Sequence, residues 1–179
     1  RVAQQFGIPT IYEHWQDLIA ARDTDAIMIG TWPYLHCPTV LAALAAGKHV
    51  LCEARMAMNA AEEHAMHDAA RAHPRLVAQI VPSPFTLGVD RTVQRLIAEG
   101  YLGDLLAVEV RDGNAFLDRT APLHWRQDRD LSGLNILSMG IWYEALMRWI
   151  GEANRVVAMG RTFVMMRPDA AGIKRAIRV

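Results

Sequence analysis

Up to about Gly103 the chain alternates short apolar runs with longer stretches of helical periodicity. Ala26 to Ile29 is a continuous apolar run bounded by Asp25 and Gly30, the pattern of a parallel strand covered on both faces. His36 to Ala46 follows with Pro38 in its first turn and Gly47 after its last, matching the start and stop asymmetry of a helix. A second strand is predicted over His49 to Cys52. Asn59 can cap the next helix, with Glu62 completing a variant of the capping box, and His73-Pro74 stops it. Leu76 to Val81 reads as a third strand. Val89, Val93, Leu96 and Ile97 mark one face of a further helix that ends at Gly100. Strands alternating with helices imply right-handed crossovers and a parallel sheet.

After Gly103 the pattern changes. Leu106, Val108 and Val110 alternate with Ala107, Glu109 and Arg111, as in a sheet wetted on one face. A loop is expected to about Ser132, then a helix from Ile136 to Ile150 ending at Gly151, then a strand over Arg155 to Val164. At the front, Arg1 to Phe6 running into Gly7 reads as the end of a helix rather than a translational start. Ile173 to Val179 stops in an alternating pattern with no cap or turn. Both ends therefore read as cut, and a signal peptide would be invisible here.

Composition narrows the function. The 179 residues are 52% hydrophobic, and 19 basic residues balance 19 acidic ones. Zero net charge leaves no global field for a polyanion, and basic residues gather only at Lys174, Arg175 and Arg178, so no nucleic-acid partner is expected. The longest apolar run, Val40 to Ala46, falls well short of the roughly 20 residues that span a bilayer, so no membrane partner is expected. Cys37 and Cys52 offer neither a disulfide framework nor a metal knuckle, which fits a reducing compartment and a cytoplasmic protein. Cys37 reads as a small buried residue with no chemistry assigned. His64 and His67 lie three apart on a helix without a third ligand, so no metal is expected.

In an open parallel sheet, ligands bind outside the carboxyl ends of the strands. Here those ends are Gly30-Thr31-Trp32-Pro33-Tyr34-Leu35-His36 and Glu53-Ala54-Arg55-Met56. The stretch from Asp25 to Met56, with Thr31 and His36 in the loop, Gly47-Lys48-His49-Val50 and Cys52-Glu53, resembles the Gfo/Idh/MocA family of NAD(P)-dependent oxidoreductases. Leu96-Ile97 with Gly100-Tyr101-Leu102-Gly103 is similar to that family's join between domains. Trp125-Arg126 and the helix ending Arg148-Trp149-Ile150-Gly151 resemble the start of its second domain. The resemblance implies an α/β fold: residues 1–103 as the C-terminal part of a dinucleotide-binding Rossmann domain, and 104–179 as the start of an α+β substrate and oligomerisation domain with a largely antiparallel open sheet. It implies NAD or NADP as cofactor and a small-molecule substrate of the sugar, polyol or sugar-acid class, lying between the nucleotide domain and the second sheet. It also implies a homo-oligomer paired through that sheet, and an upstream Gly-rich βαβ unit that this chain does not show. NAD versus NADP is therefore open.

The chain departs from the family pattern in its site motifs. The usual Glu-Lys-Pro is Glu53-Ala54-Arg55, so the expected lysine is Ala54. The usual Asp-x-Gly-x-His is Ser138-Met139-Gly140-Ile141-Trp142, which removes the carboxylate and the proton-handling histidine. The position three beyond that histidine, often aspartate, is Ala145.

Each site residue carries a competing structural reading. Thr31 and Trp32 suit cofactor contact or a strand-end turn with a packing lid. His36 could line the site, or its ring could satisfy a loop carbonyl. Glu53 suits ribose hydroxyls or the nicotinamide edge, against an ion pair with Arg55. Arg55 cannot release a proton and could orient a carboxylate or carbonyl, against a structural role. Tyr143 and His124 are the proton-handling candidates, with Glu144 a third, and packing or exposure is the alternative for each. Two functions follow: a nicotinamide-dependent oxidoreductase with a non-standard proton-handling residue, or an NAD(P)-binding sensor or interaction protein that has lost catalysis.

Overall fold

The parallel sheet is present in the computed structural model, which describes residues 1–83, 86–112, 118–134, 138–169 and 171–176. Helix α1 (Val2–Phe6) ends at Gly7, and α2 (Trp15–Ala20) leads into β1 (Ala26–Ile29). A 3-10 turn (Pro33–Leu35) opens directly into α3 (His36–Ala45), followed by β2 (His49–Cys52), α4 (Ala60–Ala72) and β3 (Ala78–Ile80). The strands run parallel in the order β1-β2-β3, with Ile27 beside Val50 and Val50 beside Ala78.

The local signals act as their chemistry requires. Gly47 takes a positive φ of 76° just past α3, a conformation that an L side chain rarely adopts. Asn59 Oδ1 accepts from the Glu62 amide at 3.0 Å, while Glu62 Oε2 accepts from the Met58 amide at 3.0 Å, one residue earlier than a standard capping box. The core of this unit joins Ile27, Ile29, Val50 and Cys52 from the strands to Val40, Ala43 and Leu44 of α3 and Met66 of α4. Each fully buried large aliphatic side chain in such a cluster contributes roughly 1.5–3 kcal/mol.

One expectation is corrected here. The strands are covered on one face, with Ile27 and Ile29 buried and Met28 68% exposed among the described residues. Both crossovers step in the same direction along the sheet, and crossovers of one hand place their helices on one face. The continuous apolar run of β1 signalled a strand of a parallel sheet, but not how many layers pack on it.

The chain divides into two compact units, 1–81 and 82–179. Helix α5 (Leu87–Ala98), which the sequence placed before the domain join, packs within the second unit against α7 (Met139–Ile150). Between them lie a 3-10 turn (Trp125–Gln127) and α6 (Arg129–Ser132). The only strands described in this unit are β4 (Met166–Pro168) and β5 (Lys174–Ala176), paired antiparallel. The alternating stretch Leu106 to Val110 and the segment Arg155 to Val164 carry no ladder among the described residues. Leu106 is 93% and Val157 95% exposed. Alternation gives a segment two faces, but a strand exists only where a neighbour supplies ladder hydrogen bonds. The expected start of α7 at Ile136, and the end of the alternating stretch at Ile177 to Val179, lie outside the described residues.

Candidate cofactor and substrate site

In the first unit, the ends of β1 and β2 carry Thr31, Trp32, His36, Glu53 and Arg55. Register places Ile29 beside Cys52, so the loops that follow start side by side, and the Glu53 amide donates to the Ile29 carbonyl at 2.9 Å. Thr31 is exposed, with its hydroxyl donating to the Trp32 carbonyl at 3.3 Å, and Trp32 is 46% exposed. Glu53 is half-buried, and its carboxylate has no hydrogen-bond partner among the described residues. A half-buried acceptor of this kind suits hydroxyl donors such as those of a ribose. The polar chemistry of these two loops is therefore of a kind that fits dinucleotide hydroxyls.

His36 is placed differently. Its ring is 1% exposed, with Nδ1 2.7 Å from the Arg55 carbonyl oxygen and Nε2 3.0 Å from that of Thr31. Both ring nitrogens are taken by backbone, so His36 joins the two loops from beneath. The Ala54-Arg55 peptide is cis, and the Arg55 side chain is half-buried.

The two cysteines carry no reactive thiol. Burial, with Glu53 beside it, pushes the Cys52 thiol up to about 12. Burial and then Glu62 likewise raise Cys37, whose Sγ lies 3.9 Å from the Glu62 carbonyl oxygen. Among the described residues no group of three or more His, Cys, Asp or Glu side chains could hold a metal ion.

In the second unit, His124 is the N-cap of the 3-10 turn. Its Nδ1 accepts from the Arg126 amide at 3.2 Å, and its own amide donates to Gln127 Oε1 at 3.0 Å. Its ring lies 5.6 Å from that of Trp125, over which the Arg126 guanidinium sits at 4.2 Å. Burial, then the Arg126 charge, lowers the His124 pKa from the ordinary histidine value. With Nδ1 accepting, the neutral ring carries its proton on Nε2. Tyr143 on α7 is 40% exposed.

Glu144 is committed elsewhere. Its carboxylate accepts from Arg148 Nη1 at 2.5 Å and from the Ser83 amide at 2.9 Å. Arg148 also donates to Thr86 Oγ1 and Asp90 Oδ2, and Trp149 Nε1 donates to Asp90 Oδ1 at 2.6 Å. Burial pushes the Asp90 carboxyl up, but the hydrogen bonds from Thr86, Trp149 and Arg148 together with the Arg148 charge outweigh it, and the net shift is downward. The sequence reading missed this network, although Glu144 and Arg148 stand at the i,i+4 spacing that would have flagged half of it. Ser138, where the family's aspartate is expected, donates its hydroxyl to the Asp112 carboxylate. Ala145 is buried, at 1% exposure.

Comparison with known proteins agrees with this architecture. A family model described as an oxidoreductase family with NAD-binding Rossmann fold matches residues 1–80, and the GFO/IDH/MocA C-terminal domain matches residues 91–172. The chain is 29% identical over 164 residues to the trans-1,2-dihydrobenzene-1,2-diol dehydrogenase of Sus scrofa, covering 90% of this chain and 48% of that protein. It is 27% identical to the levoglucosan dehydrogenase of Pseudarthrobacter phenanthrenivorans, covering 95% of this chain and 44% of that protein. A solved levoglucosan dehydrogenase in complex with NADH and L-sorbose superposes with a TM-score of 0.76 at 25% identity, over 99% of this chain and 48% of that one. The chain spans about half the length of the curated relatives it matches. The two models together account for both units, and so the chain belongs to the Gfo/Idh/MocA family of NAD-binding oxidoreductases.

Proposed function

We propose that the protein acts as a nicotinamide-dependent oxidoreductase on a hydroxyl or carbonyl of a small polar substrate of the sugar, polyol or sugar-acid class. The observation that carries this is the pair of adjoining strand-end loops, with Thr31, Trp32 and an unpartnered Glu53 carboxylate, in a chain of this family. Residues 1–103 would contribute the end of the dinucleotide domain, and 104–179 the start of the substrate domain. The bound nicotinamide supplies the hydride chemistry. Thr31, Trp32 and Glu53 hold the dinucleotide, and Arg55 orients the substrate oxygen.

The proton needs a carrier other than Arg55, whose guanidinium stays charged. Tyr143 and His124 take that role. The Glu144 carboxylate is engaged by Arg148 and the Ser83 amide, which favours those two over it. The reading extends to a homo-oligomer through the exposed apolar segment that includes Leu106 and Val108, and to a cytoplasmic location; no described helix is long and apolar enough to cross a membrane.

A second reading rests on one observation: Ala54, Ser138 and Trp142 replace three polar groups of the family pattern. It makes the protein an NAD(P)-binding sensor or interaction subunit without catalysis. Calorimetric titration of the full-length protein with NAD and NADP, followed by a screen of sugars, inositols and sugar acids for cofactor reduction, separates the two. Turnover supports the enzyme. Binding without turnover across the panel supports the sensor, and no binding of either dinucleotide overturns both.

A further inference from the structure

The bonds that His36 makes set a requirement on its own chemistry. A backbone carbonyl oxygen only accepts hydrogen bonds, and a neutral imidazole carries a single N–H. With carbonyls at 2.7 Å from Nδ1 and 3.0 Å from Nε2, a neutral ring would aim one nitrogen lone pair at an oxygen lone pair. A ring protonated on both nitrogens donates to both, and such charge-assisted bonds are about twice as strong as neutral ones. At 1% exposure the ring has no bulk water to satisfy either nitrogen.

The two carbonyls belong to Thr31 and Arg55, so the ring fixes the spacing of the loops that carry Thr31-Trp32 and Glu53-Arg55. We propose that His36 is a positioning residue: its doubly protonated ring clasps the β1 and β2 strand-end loops together and thereby presents Thr31, Trp32 and Glu53 to the dinucleotide. This rests on the dinucleotide-binding reading above and goes further, because it gives His36 no cofactor contact and makes its proton part of the binding geometry.

The test uses the full-length protein. Nitrogen-15 spectra of labelled histidine show whether both His36 ring nitrogens carry protons and exchange slowly, and dinucleotide titrations measure affinity. His36→Gln keeps one donor and His36→Phe keeps the ring shape without donors. The expected loss of affinity is about tenfold for Gln and about a hundredfold for Phe, with KM for the dinucleotide rising while kcat is retained. If His36→Phe does not fold, His36→Gln and the wild-type spectra decide. A His36 ring with a single N–H would overturn the proposal, as would wild-type affinity in the folded variants. Wild-type protein that binds neither dinucleotide overturns the proposed function together with this role. Tight wild-type binding that His36→Phe leaves unchanged overturns the role alone.

Discussion

Arg148 donates through Nε to Asp90 Oδ2 at 2.7 Å, tying α7 to α5 by a charged pair in which both side chains are largely shielded from water. Helix α5 has a sequence stripe of Val89, Val93, Leu96 and Ile97, yet its one buried residue is Asp90. The helix–helix contact is therefore set by a polar knot of Asp90, Arg148, Trp149 and Thr86 rather than by the apolar stripe alone. Removing one partner of such a knot leaves the others desolvated and unmatched.

The first prediction concerns this knot. Because the Asp90 carboxyl sits below its ordinary value, it contributes stability at neutral pH, and that contribution is lost as pH falls from about 3.9 through the lowered value. Asp90→Asn should lower the melting temperature near neutral pH by several degrees and flatten the acid limb of the stability curve. Identical acid limbs in wild type and variant would refute the assignment.

Lys48 should be a strong stability determinant without any part in catalysis. Its buried Nζ donates to the carbonyls of Ala21 at 2.6 Å and Thr24 at 2.5 Å and to Thr24 Oγ1 at 2.5 Å, closing the turn after α2. Lys48→Met keeps the aliphatic stem but leaves two carbonyls without that donor, at a cost of about 2–3 kcal/mol in urea denaturation. A change within ~0.5 kcal/mol would mean that these acceptors find other donors.

Glu53→Ala is expected to weaken dinucleotide binding about tenfold, the loss of one or two hydrogen bonds, without moving the unfolding midpoint. Calorimetry and thermal unfolding on the same preparation measure both. Unchanged affinity would remove Glu53 from the cofactor site.

The proton-handling candidates separate by substitution. His124 sits below the ordinary histidine value, so as a base it is ready at neutral pH, and activity would fall only as acid protonates it. Tyr143 would act through its phenol, which Tyr143→Phe removes while keeping the ring. With a substrate that turns over, a loss of about a hundredfold or more in Tyr143→Phe or in His124→Gln identifies the carrier. Near-wild-type rates in both variants would reject the pair.

Self-association has its own readout. Leu106 and Val108 are 93% and 49% exposed, and Leu106→Asp combined with Val108→Asp should convert a full-length oligomer to a smaller species in sedimentation velocity. A full-length wild type that sediments only as a monomer would contradict the proposal.

The sequence specified much of the first unit, though not α2 or the one-sided cover of its strands. β1 and β2 fall on Ala26–Ile29 and His49–Cys52 as their apolar runs predict, and Gly47 and Asn59 end and begin helices where their backbone chemistry requires. These are local signals, written within a few residues of the feature they specify. It also located the strand-end loops, because parallel strands fix where loops with free polar groups must be. What it could not decide was which side chain meets which backbone. The same histidine at the first turn of a helix can face a ligand or a loop, and only the closing together of residues 31, 36 and 55 shows both nitrogens of His36 occupied. Asp90 and Arg148, 58 residues apart, carry no local signal that they meet, and with Glu144 they form a shielded knot only where α5 packs on α7. Leu106 to Val110 shows the converse: its alternation is local, but a ladder needs a partner strand, and no residue spacing within one segment supplies it.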